Sequence, residues 1–175
     1  MHATTYNVVL AGPVGAVKTT ALRTLADSVP VSTEMPLSGG PMGEKTTTTV
    51  ALDYATVMLD DGTPVHLYGL PGQEHFSHMR EIVMLGALGV IVLLAANQAD
   101  VASQCRHWLA VIRAIDATVP LVIGITHTDL VPGFRMDLIR DAVAGQPSPV
   151  PVLTLDVRDR EQAAQLIRTL LVFAA

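Results

Sequence analysis

The stretch from Asn7 to Thr20, NVVLAGPVGAVKTT, leaves the chain few ways to start a fold. Val8, Val9, Leu10 and Ala11 form an apolar run. Gly12 and Gly15 punctuate the loop that follows, and Lys18, Thr19 and Thr20 open a helical pattern that continues through Leu22 and Leu25. The reading is strand, glycine loop, helix. Gly12, Lys18 and Thr19 stand at the spacing of G-x-x-x-x-G-K-[ST], a loop whose backbone N–H groups, helix N-terminus and lysine together make an anion cradle. Val17 occupies the place of the second glycine. The candidate phosphate-binding residues are therefore Gly12, Pro13, Val14, Gly15, Ala16, Val17, Lys18, Thr19 and Thr20, with the Thr19 hydroxyl placed to ligate Mg²⁺. Taken alone, the stretch also reads as an ordinary strand-to-helix turn with an incidental Lys-Thr pair.

Composition narrows the remaining classes. At 175 residues the chain has the length of one domain, 1–175, with enough chain to bury a core. Half of it is hydrophobic and its mean hydropathy is +0.43, yet the longest apolar stretch, Ile82 to Ala96, which contains no charge, is too short to span a bilayer and carries Gly86 and Gly89. It reads as a helix end running into a buried strand. No signal segment, prenylation cysteine or other membrane anchor is expected, and the lone Cys105 fits a reduced, cytoplasmic setting. A formal charge of -5, with only Lys18 and Lys45 as lysines, argues against a nucleic-acid surface, which works by phosphate neutralisation.

Along the chain, proline and glycine from Pro30 to Lys45 predict a long mobile loop. Val50, Leu52, Tyr54, Val57 and Leu59 predict a strand with a bulge or shift near Ala55-Thr56. A hairpin turn at Asp60-Asp61-Gly62 then leads to a partner strand at Val65 to Tyr68. Val90 to Leu94 and Leu121 to Ile125 show no polar alternation and predict strands covered on both faces. Val101, Cys105, Trp108, Leu109, Ile112 and Ile115 repeat at helical spacing, and Met136 to Ala144 predicts a shorter helix. After a strand at Val152 to Leu155, Asp159 and Gln162 sit at capping-box positions of a last helix. Strands alternating with helices predict a three-layer α/β fold, with about six strands, mostly parallel, and one antiparallel hairpin strand. Ligands of such sheets bind at the carboxyl ends of the strands, where the loops at Gly12, Gly69, Thr126 and Asp156 all fall.

Once Gln73 is reached, the sequence resembles the small Ras-like GTPases, and the likeness extends over essentially the whole chain. Gly72-Gln73-Glu74-His75-Phe76-Ser77-His78-Met79-Arg80 is similar to their second switch, and Thr49 to Tyr54 to the first switch and its following strand. Thr126-His127-Thr128-Asp129 stands where the family has [NT]-K-x-D, and Asp156-Val157-Arg158 where it has S-A-K. The nearest likeness is to bacterial members, such as the gliding-motility switch protein and the conservon GTPases, many of which work with roadblock-type dimers. The resemblance implies a P-loop G domain that binds GTP and GDP with Mg²⁺ as a molecular switch. It implies Thr126, His127, Asp129, Asp156 and Val157 at the guanine, Gly72 at the γ-phosphate, Gln73 orienting the attacking water, and Thr19 with Thr49 on Mg²⁺. The residue types suit those roles. Asp129 accepts from the N1–H and 2-amino groups that adenine cannot offer, and a glutamine positions water for in-line phosphoryl transfer.

Four departures bear on the chemistry. Val17 puts a β-branched side chain where backbone and phosphate approach closely. Val14 replaces a glycine that leaves room for the transition state. Gly69 replaces the aspartate that holds Mg²⁺ through water, and His127 replaces the lysine that packs over the ribose and base. These changes predict slow or partner-dependent hydrolysis. A pseudo-GTPase that has lost the nucleotide and serves as a partner-binding module is the second reading, and an ATP-using P-loop enzyme the third.

Overall fold

The computed structural model describes residues 4–13, 17–27, 31–37, 48–70 and 77–175, with 31–37, 48–52 and 77–79 described by backbone alone. Among these residues the chain runs β1 (Tyr6–Ala11), α1 (Lys18–Leu25), β2 (Val31–Leu37), β3 (Thr48–Met58), β4 (Pro64–Gly69), α2 (Ser77–Met84), β5 (Gly89–Ala95), α3 (Val101–Ile115), β6 (Leu121–Thr126), α4 (Met136–Val143), β7 (Val152–Thr154) and α5 (Arg160–Ala174). A single 3₁₀ turn, Thr128–Leu130, follows β6. The strands form one sheet in the order β2-β3-β4-β1-β5-β6-β7. β4, β1, β5, β6 and β7 are parallel, and the hairpin partner β3 is antiparallel to β4.

Two expectations are corrected. Within the span predicted as loop, Val31–Leu37 is a strand, paired antiparallel with β3 from Val31↔Tyr54 to Leu37↔Thr48. It lies at the sheet edge, with a neighbour on one side only, a position where proline is tolerated. The bulge predicted near Ala55-Thr56 is absent. Pairing runs unbroken from Asp53↔Gly69 to Met58↔Pro64. Ala55 and Val57 are the residues that turn inward, while Tyr54 turns the other way and packs on His66 and Tyr68, with ring centres 5.4 and 5.2 Å away. A small inward alanine beside an outward tyrosine gives the hydrophobic pattern a false shift of phase.

The strict period of two in the central strands builds two cores. Val8 and Leu10 of β1 join Ile91, Leu93 and Val122 beneath α1 and α5, which contribute Leu22, Leu25, Ala163, Leu166, Ile167 and Leu170. Val9 and Ala11 face the other way with Val92, Leu94, Ile123 and Ile125, covered by Met84 of α2, Cys105, Trp108, Leu109 and Ile112 of α3, and Ile139 of α4. All seven residues of β5 and all six of β6 are buried, as strands covered on both faces must be. Cys105 is fully buried and its thiol is pushed up to about 11 by that burial, so it packs as a small apolar residue.

Among the described glycines, Gly12 at the exit of β1 has the nearest obstacle to a side chain. Gly12 has φ +148°, and a Cβ there would stand 2.3 Å from the carbonyl oxygen of Leu93 in β5. The obstacle is backbone, which cannot swing aside. Gly12→Ala is therefore expected to cost roughly 2–4 kcal/mol, from overpacking added to a strained φ, measured as a lower urea midpoint with an unchanged slope.

Candidate functional site

The parallel strands all end on one edge of the sheet, and the predicted residues collect there. Lys18 opens α1 and folds back over its own loop, donating from Nζ to the carbonyl oxygens of Gly12 at 2.7 Å and Pro13 at 2.9 Å. The ammonium is partly buried. Burial lowers it to about 8, the Asp53 carboxylate pulls it upward and the Arg80 guanidinium pushes it further down. A desolvated cation resting on carbonyl oxygens gains from any anion that reaches it. Val14, Gly15 and Ala16 lie outside the described residues, as do Gly72 and Gln73.

Val17 caps the start of α1 in the left-handed region, φ 61° and ψ 26°, with no side-chain cap. Among the described residues only one other non-glycine has positive φ, His127, at φ 60°. Both sit in loops that leave parallel strands on the same edge. Left-handed geometry costs a β-branched residue about 1–3 kcal/mol, and such strain collects at functional sites. The carbonyl of Val17 still accepts the first helical bond, from Ala21 N at 3.0 Å.

The loops after β6 and β7 meet Val17 around one cavity of about 370 Å³, lined by Val17, Thr20, Thr126, His127, Asp129, Leu130, Asp156, Val157 and Arg158. Thr126 is buried, donates to Leu94 O at 3.4 Å and touches His127 Nδ1 at 2.8 Å, which fixes the imidazole at the cavity wall. The β7 loop is tied down by the cap of α5. The Asp159 carboxylate accepts from Glu161 N and Gln162 N, and Gln162 Oε1 in turn accepts from Asp156 N at 2.8 Å. The Arg158 guanidinium and its own N–H hold the Asp156 carboxyl down at about 2. All five predicted guanine-binding residues thus line one hollow, and Arg158, which the sequence reading left out, joins them.

The metal side holds a second residue that the reading passed over. Thr19 Oγ1 donates to Asp53 Oδ2 at 3.1 Å. Asp53 lies across from Gly69 in the β3–β4 ladder, and a Cβ on Gly69 would come within 3.3 Å of Asp53 Cβ. The Asp53 side chain thus stands beside the position where Gly69 has none. The signal was present in the hairpin: a turn at 60–62 with Met58 opposite Pro64 sets 53 opposite 69. Thr49 lies in β3 opposite Pro36, and its side chain is outside the described residues.

No protein-family model matches the chain. An uncharacterized protein of Methanocaldococcus jannaschii is 32% identical over 91 residues, covering 52% of this chain and 51% of that protein, so the chain aligns with about half the length of this relative. The G domain of the T. maritima FeoB iron transporter superposes with a TM-score of 0.71, over 98% of this chain and 100% of that one, at 16% identity. The fold is that of a GTPase G domain. Among the described residues, no helix is long and apolar enough to cross a membrane.

Two outcomes follow from the loop itself. Replacing Val17 by Gly should raise the stability of the nucleotide-free protein by about 1 kcal/mol, because relief of the left-handed strain exceeds the flexibility that glycine adds to the unfolded chain; chemical denaturation reads the difference. A lysine held near 8 in the fold but at its ordinary 10.5 when unfolded binds fewer protons in the native state between those values. Nucleotide-free stability should then climb as pH rises from about 8 towards 10.5. Lys18→Met should remove that component of the climb, leaving the variant more stable than the parent at neutral pH.

Proposed function

We propose that the chain is a guanine-nucleotide-binding switch whose hydrolysis is slow or depends on a partner. The observation that carries this reading is the cavity at the sheet edge, where loops from three separate strands bring Val17, Thr126, His127, Asp129, Asp156 and Val157 together beside the helix that Lys18 begins. Its size suits a base and ribose. Asp129 supplies the carboxylate that would select guanine, and Val157, buried against the core below, holds the backbone that would meet the base oxygen. Lys18 would exchange its two carbonyl partners for phosphate oxygens.

Mg²⁺ fits the oxygen pair at the mouth of the loop, since hard cations take hydroxyl and carboxylate oxygen. Thr19 and Thr49 would hold it, with Asp53 as the outer carboxylate in place of the one absent at Gly69. When bound, the ion supplies positive charge against the β- and γ-phosphates. Asp53 keeps the Thr19 hydroxyl oriented, and Gln73 would position water. A roadblock-type dimer is the partner implied by the likeness to bacterial Ras-like proteins. The strain at Val17 favours a second reading, a pseudo-GTPase whose loop no longer closes on phosphate.

Calorimetric titration with GDP and GTP, with and without Mg²⁺, separates the two. Saturable binding below millimolar nucleotide, with GTP displacing far better than ATP, is the result expected of the switch; no heat from either guanine nucleotide leaves the partner-binding module. Asp53→Ala should weaken the Mg²⁺-dependent part of the affinity by about tenfold or more. Exchanging the two sites, Asp53→Gly with Gly69→Asp, should restore part of it. An Asp53→Ala protein with undiminished Mg²⁺ dependence would remove that role.

A further inference from the structure

The cavity at the sheet edge is lined by one ring whose proton its neighbours place. His127 leaves β6 at φ 60°, a left-handed conformation that few residues other than glycine hold and that collects at functional sites. Its Nδ1 lies 2.8 Å from Thr126 Oγ1, and the single proton of that buried hydroxyl goes to Leu94 O at 3.4 Å. With that proton engaged, Nδ1–H is the donor between the two residues. The neutral imidazole therefore carries its proton on Nδ1 and a bare lone pair on Nε2. Among the described residues no group bonds Nε2. Asp156 accepts from Arg158 Nε at 2.9 Å and from a terminal nitrogen of the same guanidinium at 2.8 Å, so Arg158 is turned to the carboxylate and not to the ring. Asp129, an ionised carboxylate, has no proton to offer.

We infer that His127 is a specificity-determining residue of this cavity, its Nε2 accepting a hydrogen bond from a ribose hydroxyl of the bound nucleotide. The inference rests on the guanine-nucleotide reading. With Asp129 on the N1–H and 2-amino groups of the base, the donors left on a guanosine phosphate are its ribose hydroxyls. A lysine at this position, with three donors and no acceptor, could only have read an acceptor on the ligand; the neutral histidine reads a donor. Thr126 is the positioning residue of the pair, because its hydroxyl selects the tautomer. A histidine that merely shaped the loop would affect every guanine ligand alike, with or without sugar hydroxyls.

The full chain is titrated calorimetrically with GDP and with 2′,3′-dideoxy-GDP in Mg²⁺ at about pH 8, where histidine is neutral. In the parent the dideoxy ligand should bind about three- to tenfold more weakly, the worth of one neutral hydrogen bond. His127→Phe keeps a ring without nitrogens, and in it the two ligands should bind equally, which closes a cycle between one side chain and one ligand group. If His127→Phe does not fold, His127→Gly, which suits the left-handed backbone, decides with the same ligand pair. Nitrogen-15 NMR of the nucleotide-free parent reads the tautomer directly, the His127 signals among the six histidines being those lost in the variant. A proton on Nδ1 and a bare Nε2 are expected. Equal affinities in the parent, an undiminished ratio in the variant, or the proton found on Nε2 would each overturn the assignment. If the parent gives no heat with GDP, the nucleotide reading itself fails and takes this one with it; GDP binding without the hydroxyl preference leaves that reading standing.

Discussion

The architecture of the candidate site depends on how closely β1 can pass β5 before it leaves the sheet. At Gly12 the backbone comes so near Leu93 that a single added carbon would strike a carbonyl oxygen. Because that exit is fixed by covalent geometry and not by a flexible side chain, the carbonyls of Gly12 and Pro13 are held where Lys18 can fold back on them. The two cores on either face of β1 then hold α1 on one side and α3 on the other. Nothing in the loop has to be rigid by itself, since the sheet and its two helical layers supply the rigidity.

Charge is arranged on that scaffold with compensation between strands. Gly69 lacks a carboxylate and Asp53, its ladder partner, has one. Antiparallel pairing places opposite Cβ atoms about 5 Å apart, so a side-chain function can move from one strand to the next while its carboxylate stays near the same point. At the loop, the Asp53 carboxylate raises the Lys18 ammonium that burial lowers. In the cavity at the sheet edge, Asp156 is occupied by Arg158, while the imidazole of His127 is held by Thr126. The strained backbone at Val17 and His127 borders the same cavity.

Much of this was legible in the chain. The buried strands at Val90 and Leu121, the helix faces of α3 and α5, the hairpin at Asp60 and the capping pair Asp159 and Gln162 follow from periodicity and turn chemistry, which act over a few residues. Three things were not legible. The strand at Val31–Leu37 was hidden because Pro36 breaks a central strand but not an edge one, and edge position is not a local property. A bulge or shift was expected near Ala55-Thr56 because Tyr54 fits the apolar alternation by type, whereas the pairing turns Ala55 and Val57 inward. Asp53 was read only as part of the strand after the first switch, until the ladder set it against Gly69.

The sequence by itself determined the order of elements, the glycine loop with its lysine and threonine, and which loops would share an edge, because short-range patterning and the handedness of parallel crossovers admit few alternatives. Only the tertiary structure decided that Asp53 comes to lie beside Gly69 and Thr19, that Arg80 is buried on Trp108, and that Val17 adopts a conformation suited to glycine. Each of these depends on which residues from distant parts of the chain become neighbours, and that is settled by packing two helical layers on one sheet.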